Sequence, residues 1–80
     1  MTNEKTPNEI AFNEGIIKEK CKYFYDREIA VHITKHNKWF NNGMILEVQP
    51  HFILLLDEKE GKIPVFYQEI LEIQKREARR

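Results

Sequence analysis

Three runs decide the fold: Ile29-Ala30-Val31-His32-Ile33-Thr34, Trp39-Phe40-Asn41-Asn42-Gly43-Met44-Ile45-Leu46-Glu47-Val48 and Phe52-Ile53-Leu54-Leu55-Leu56-Asp57. In the first, Ile29, Val31 and Ile33 alternate with Ala30, His32 and Thr34, the period of two that marks a strand with one buried face. The second reads as an extended stretch opened by Trp39 and Phe40, interrupted by Asn41-Asn42-Gly43 and resumed by Met44, Leu46 and Val48. A glycine inside such a stretch predicts a bulge or a sharp bend, as a small barrel needs where a strand turns a corner. The third is uninterrupted in its apolar character, which predicts a central strand covered on both faces.

Polar turns separate the runs: Lys35-His36-Asn37-Lys38, then Gln49-Pro50, then Asp57-Glu58-Lys59-Glu60-Gly61. Beyond them Ile63, Val65 and Tyr67 alternate again, and Pro64, with no N–H to donate, favours an edge position. Gln68-Glu69 reads as a tight turn into a short last strand over Ile70 to Gln74, although the composition of residues 69–78 also suits a helix. Upstream, Thr6-Pro7-Asn8-Glu9 is a helix start with a cap, a first-turn proline and a capping box. Ile10, Ile17, Cys21 and Phe24 follow at roughly helical spacing, so the helix is expected over residues 6 to about 22. Gly15 weakens it by about 1 kcal/mol relative to alanine, and Tyr23-Phe24-Tyr25 is expected to turn the chain towards extended structure.

One helix followed by five short strands is the order of a mainly β, strongly bent five-stranded antiparallel barrel. The expected organisation is a flexible N-terminus over residues 1–5, a single domain over 6–74 and a basic tail over 75–80. At 80 residues the chain has room for one core, and 41% apolar residues with 32% charged ones describe a soluble globular domain. Thirteen basic and thirteen acidic side chains cancel, which excludes a strongly basic nucleic-acid binder. A lone cysteine, Cys21, makes no internal disulfide and fits a reducing compartment. No apolar run spans a membrane, and the first residues lack the core of a signal peptide, so a cytoplasmic protein is expected, with no membrane partner.

Val31-His32-Ile33, Phe40-Asn41-Asn42-Gly43-Met44-Ile45-Leu46, Ile53-Leu54-Leu55-Leu56-Asp57 and Ile70-Leu71-Glu72-Ile73 together resemble the Sm-like (LSm) family over roughly residues 8–74. The resemblance implies an N-terminal helix on a bent five-stranded barrel, RNA binding, and ring assembly by pairing the fourth strand of one copy with the fifth of the next. The family carries an Asp and a Met-Asn pair in the loop after the second strand and an Arg-Gly between its last two strands. This chain has Gln49-Pro50-His51-Phe52-Ile53 and Tyr67-Gln68-Glu69 there. The family's uridine-reading Asn and phosphate-facing Arg are therefore not carried over.

Metal binding lacks converging ligands, since His32, His36 and His51 fall in different elements. A Cys–His nucleophile pair is unsupported, since Cys21 sits on the apolar side of the expected helix and is expected to pack there. No phosphate-cradling glycine motif is present, so neither an enzyme nor a cofactor is expected. Lys35-His36-Asn37-Lys38-Trp39 combines cations, hydrogen-bonding groups and an aromatic, the mixture that holds phosphate and stacks bases. Trp39 reads equally as a filler of the barrel core. His51 and Phe52 can stack a base, and Arg76 in the basic tail can meet phosphate. The expected function is a non-catalytic RNA-binding or ribonucleoprotein-associated protein, contacting single-stranded RNA through Lys35, His36, Lys38, Trp39, His51, Phe52 and Arg76, and forming a homo-oligomer through strands four and five. The alternative is a protein-interaction adaptor on the same barrel, holding a protein partner with Tyr23, Tyr25, Phe52 and Tyr67.

Overall fold

The computed structural model describes the backbone of residues 7–77 and the side chains of residues 13–77. Helix α1 (Pro7–Asp26) is followed by β1 (Val31–Lys35), β2 (Phe40–Val48), β3 (Phe52–Asp57), β4 (Gly61–Phe66), a short 3-10 turn η1 (Tyr67–Glu69) and β5 (Ile70–Lys75). All pairings are antiparallel, in the order β4-β3-β2-β1-β5. Flat, that order would hold β4 and β5 about 19 Å apart, four inter-strand steps. Four residue steps from Phe66 to Ile70 at the 3-10 rise cover only about 8 Å. The sheet must roll until its two edges approach, and η1 is the link that requires it.

β2 carries the roll. Its first half pairs with β1 and its second with β3, and Gly43 is the position shared by both, opposite Val31 on one side and Asp57 on the other. The expected interruption at Asn41-Asn42-Gly43 is absent, because Asn41 is held in the strand by a partner sixteen residues away: its Nδ2 donates to Asp57 Oδ1 at 3.0 Å. The irregularity in register lies farther along, between Ile45 and Glu47.

The rolled sheet encloses Val31, Ile33, Ile53, Leu55 and Val65, all fully buried, with Ile17 and Cys21 of α1 closing the core. Each such aliphatic contributes about 1.5–3 kcal/mol by leaving water. β3 is internal in the sheet, yet only one of its faces is fully covered: Ile53 and Leu55 are buried, while on the other face Phe52 and Leu54 are half-buried and Leu56 is 43% exposed. β4 is an edge, as Pro64 requires. Residues 70–75 are strand and not helix, with Ile70 and Ile73 buried.

α1 extends past residue 22 to Asp26, so Tyr23-Phe24-Tyr25 stays helical. It ends in a Schellman turn: the Ile29 N–H donates to Phe24 O at 3.0 Å and the Glu28 N–H to Tyr25 O at 3.1 Å, with Glu28 at φ 53°. Arg27 stacks on the Tyr23 ring, 3.8 Å from its centroid. The helix runs through the exposed Gly15 without a break. The Thr6 cap and the inward packing of Ile10 lie outside the described residues and side chains. No helix among the described residues is long and apolar enough to cross a membrane.

Candidate nucleic-acid interface

The two turns that sequence treats as separate meet at η1. The Tyr67 N–H donates to His51 O at 3.1 Å, and the His36 N–H donates to Glu69 O at 3.0 Å. The Tyr67 hydroxyl donates to Gln49 O at 2.5 Å. Burial, with the nearby Cys21 adding to it, pushes the Tyr67 hydroxyl up to about 12, so it stays a neutral donor across physiological pH. Three hydrogen bonds, made at Tyr67 and Glu69, thus pin the β1–β2 and β2–β3 turns to the β4–β5 junction.

α1 runs alongside this junction, and between them lies a cleft of about 570 Å³ lined by Asn13, Glu14, Lys20, His36, Gln68 and Leu71 among others, with Glu14 its one carboxylate. Lys20 and His36 supply cationic or donor groups, while Asn13 and Gln68 carry amides that both donate and accept, the inventory needed to read a base edge. Of these only His36 stood out in the sequence. Lys20 and Asn13 look like the solvated face of a helix, and Gln68 like a turn residue; what assigns them is the packing of α1 beside η1.

The remaining expected contacts divide. Lys35 and Trp39 line a second cleft, of about 620 Å³, whose opposite wall is Asp57, Glu58, Lys59 and Glu60. Trp39 is 72% exposed, so it does not fill the core. The turn that presents it is built locally, with Lys38 at φ 71°, the Lys38 N–H on Lys35 O at 2.9 Å and the Trp39 N–H on Asn37 Oδ1 at 3.0 Å. Lys38 is exposed at its tip. His51 is exposed beside η1, and Phe52 is half-buried against Phe66, ring centroids 5.4 Å apart. Arg76 is engaged elsewhere: its Nε and Nη2 grip Glu58 at 3.1 and 3.2 Å, the one ion pair among the described residues. That hydrogen bond holds the Glu58 carboxyl below its ordinary range.

Asp57 anchors the acidic turn. Burial works against its charge, but the bonds from Asn41 Nδ2 and from the backbone N–H groups of Glu60 and Lys59, both at 2.9 Å, prevail and hold its carboxyl below the ordinary value. Asn41 Oδ1 is left buried without a partner, a deficit of about 1–3 kcal/mol. Cys21 is fully buried and its thiol is pushed up to about 12 by burial, so it is a packing residue and no nucleophile. Among the described residues no group of His, Cys and carboxylates is placed to hold a metal.

No protein-family model matches this chain, and no curated protein matches it. A solved structure does: the 1.55 Å crystal structure of the pleiotropic translational regulator Hfq, an Sm-like protein, is similar with a TM-score of 0.62 at 16% identity, covering 72% of this chain and 95% of that one. The N-terminal helix on five antiparallel strands, rolled about β2 and joined edge to edge by η1, is the Sm-like fold.

Proposed function

We propose that this chain is a non-catalytic RNA-binding protein that takes single-stranded RNA along the cleft between α1 and η1 and assembles with copies of itself through β4 and β5. The observation that carries the reading is the convergence at η1, where Lys20, Asn13, His36 and Gln68 come together on an Sm-like fold. Lys20 and His36 meet phosphate, Asn13 and Gln68 meet base edges, and His51 with Phe52 offers a stacking surface at the adjoining turn. Uridine preference is weak, because Ile53 is buried and offers no side-chain hydrogen bond. Lys35, Lys38 and Trp39 contribute to a flank, and the acidic turn opposite Trp39 keeps phosphate from crossing it. β4 and β5 are the two edge strands of the sheet, where a second copy can pair.

The test is a titration of short single-stranded RNA at several salt concentrations, followed by anisotropy. A log–log slope of several phosphate contacts, reduced by Lys20→Ala, supports the reading; no binding by a folded sample at low salt removes it. The adaptor reading draws on the same Arg76–Glu58 pair, which removes one cation from RNA's reach. Of its aromatics, Tyr67 is 2% exposed and cannot hold a partner, whereas Tyr23 and Tyr25 are open at 49% and 41%.

A further inference from the structure

The two edges that the proposed assembly would join are not equally open. Backbone direction alternates along a strand, so the bonds that fix one residue fix the row. The Glu58 N–H reaches Asn42 O in β2, and Phe52 O accepts from the Gln49 N–H, so the even-numbered residues of β3 face β2 and the odd-numbered ones face β4. The odd residues Ile53, Leu55 and Asp57 stand opposite Val65, Ile63 and Gly61. Lys62, Pro64 and Phe66 therefore turn their backbone groups outward, along the free edge. On β5 the Arg76 N–H reaches Ala30 O, and Gln74 and Glu72 stand opposite His32 and Thr34, which leaves Ile73 and Lys75 facing out.

Of the three outward positions on β4, Pro64 has no N–H. The Phe66 N–H is already taken by the Glu69 carboxylate, Oε2 at 2.9 Å. Only Lys62 offers a donor. The Phe66 carbonyl, at the N-cap of η1, already accepts the first bond of that turn, so two free carbonyls and one N–H make β4 a poor partner for a strand that needs donors and acceptors alike, and the side chain that holds the Phe66 N–H is exposed.

We propose that Glu69 guards the β4 edge: while its carboxylate holds the Phe66 N–H, a second copy's β5 cannot complete its ladder there, and assembly requires Glu69 to release that group to the incoming carbonyl. This rests on the reading of assembly through β4 and β5. Glu69 thereby sets the concentration at which copies associate, and Pro64 lowers the ceiling permanently.

Sedimentation velocity over a concentration series tests it with Glu69→Ala, Glu69→Gln and Pro64→Val. Glu69→Ala frees the donor and is expected to tighten association roughly 3- to 10-fold, the equivalent of one net hydrogen bond. Glu69→Gln keeps an acceptor on the Phe66 N–H and is expected to stay near the parent. Pro64→Val adds a donor at a different position and is expected to tighten association by a similar factor. Equal effects of Ala and Gln would assign the change to lost charge, and would overturn the guard. So would an oligomeric parent indifferent to all three. If parent and variants alike remain single subunits at high concentration, the assembly reading itself falls.

Discussion

Gly43 and Leu56 approach so closely across β2 and β3 that a Cβ on Gly43 would lie 2.8 Å from the Leu56 carbonyl carbon. Gly43 and Leu56 both lie in strands held by the sheet ladder, so neither backbone can swing away. The contact falls at the position where β2 passes from β1 to β3, and it lets the sheet roll tightly enough for η1 to join its edges.

Gly43→Ala is therefore expected to destabilise the fold by about 3 kcal/mol, the upper end of what overpacking costs, with Gly15→Ala as the control. Gly15 has nothing within 4 Å of an added Cβ, and the substitution there should stabilise by roughly 0.4–1 kcal/mol. Urea denaturation of both variants reads the difference directly. A Gly43→Ala midpoint equal to the parent's would mean that the β2–β3 approach is looser than described.

The Asp57 carboxylate gives a pH signature. Its folded value lies below the 3.8 of the free group. The stability it contributes is thus complete above about pH 4 and is lost as pH falls through the folded value. Asp57→Asn should be less stable than the parent at neutral pH, because the bonds from Asn41 and from the Lys59 and Glu60 N–H groups weaken. The gap should narrow steadily below pH 4. Chemical denaturation at pH 7, 4 and 2.5 checks the sign; a gap that widened in acid would contradict it.

Cys21 supplies a probe of opening. Fully buried and with a thiol pushed up to about 12, it should resist alkylating reagents at pH 8 far beyond an exposed cysteine, whose thiolate is populated there. Addition of urea should accelerate labelling in step with the fraction of open molecules. Rapid labelling of the native protein, followed by mass spectrometry, would show that α1 does not stay docked on the sheet.

What could be read from the sequence was local. Val31 and Ile33 announce a strand by alternation, Pro64 announces an edge, and Gly43 marks the corner because only glycine fits there. What could not be read was long-range. Asn41 looks like a breaker, since asparagine is disfavoured in strands, yet Asp57 satisfies its amide and keeps it in place. Arg76 reads as a free cation until Glu58 is seen beside it. The cleft was hidden for the same reason: His36, Gln68 and Lys20 are far apart in the chain, and it takes the roll of the sheet to bring His36 beside Gln68 and the packing of α1 to set Lys20 across from them.

The last prediction separates cations that are available from those that are committed. If RNA lies along the α1–η1 cleft, Lys20→Ala should lower the slope of log affinity against log salt by about 0.7, the release of one counterion from a single strand. Arg76→Ala should leave the slope nearly unchanged, because in the free protein its guanidinium is held by Glu58 in two hydrogen bonds. Lys38→Ala, at the tip of the β1–β2 turn, should fall between them. Phe52→Ala should cost roughly 1–3 kcal/mol of affinity with little change in slope, since stacking releases no ions. Anisotropy titrations of the four variants at matched salt series decide the matter. A loss of slope in Arg76→Ala as large as that in Lys20→Ala would place the RNA along the acidic turn and would move the interface to the second cleft.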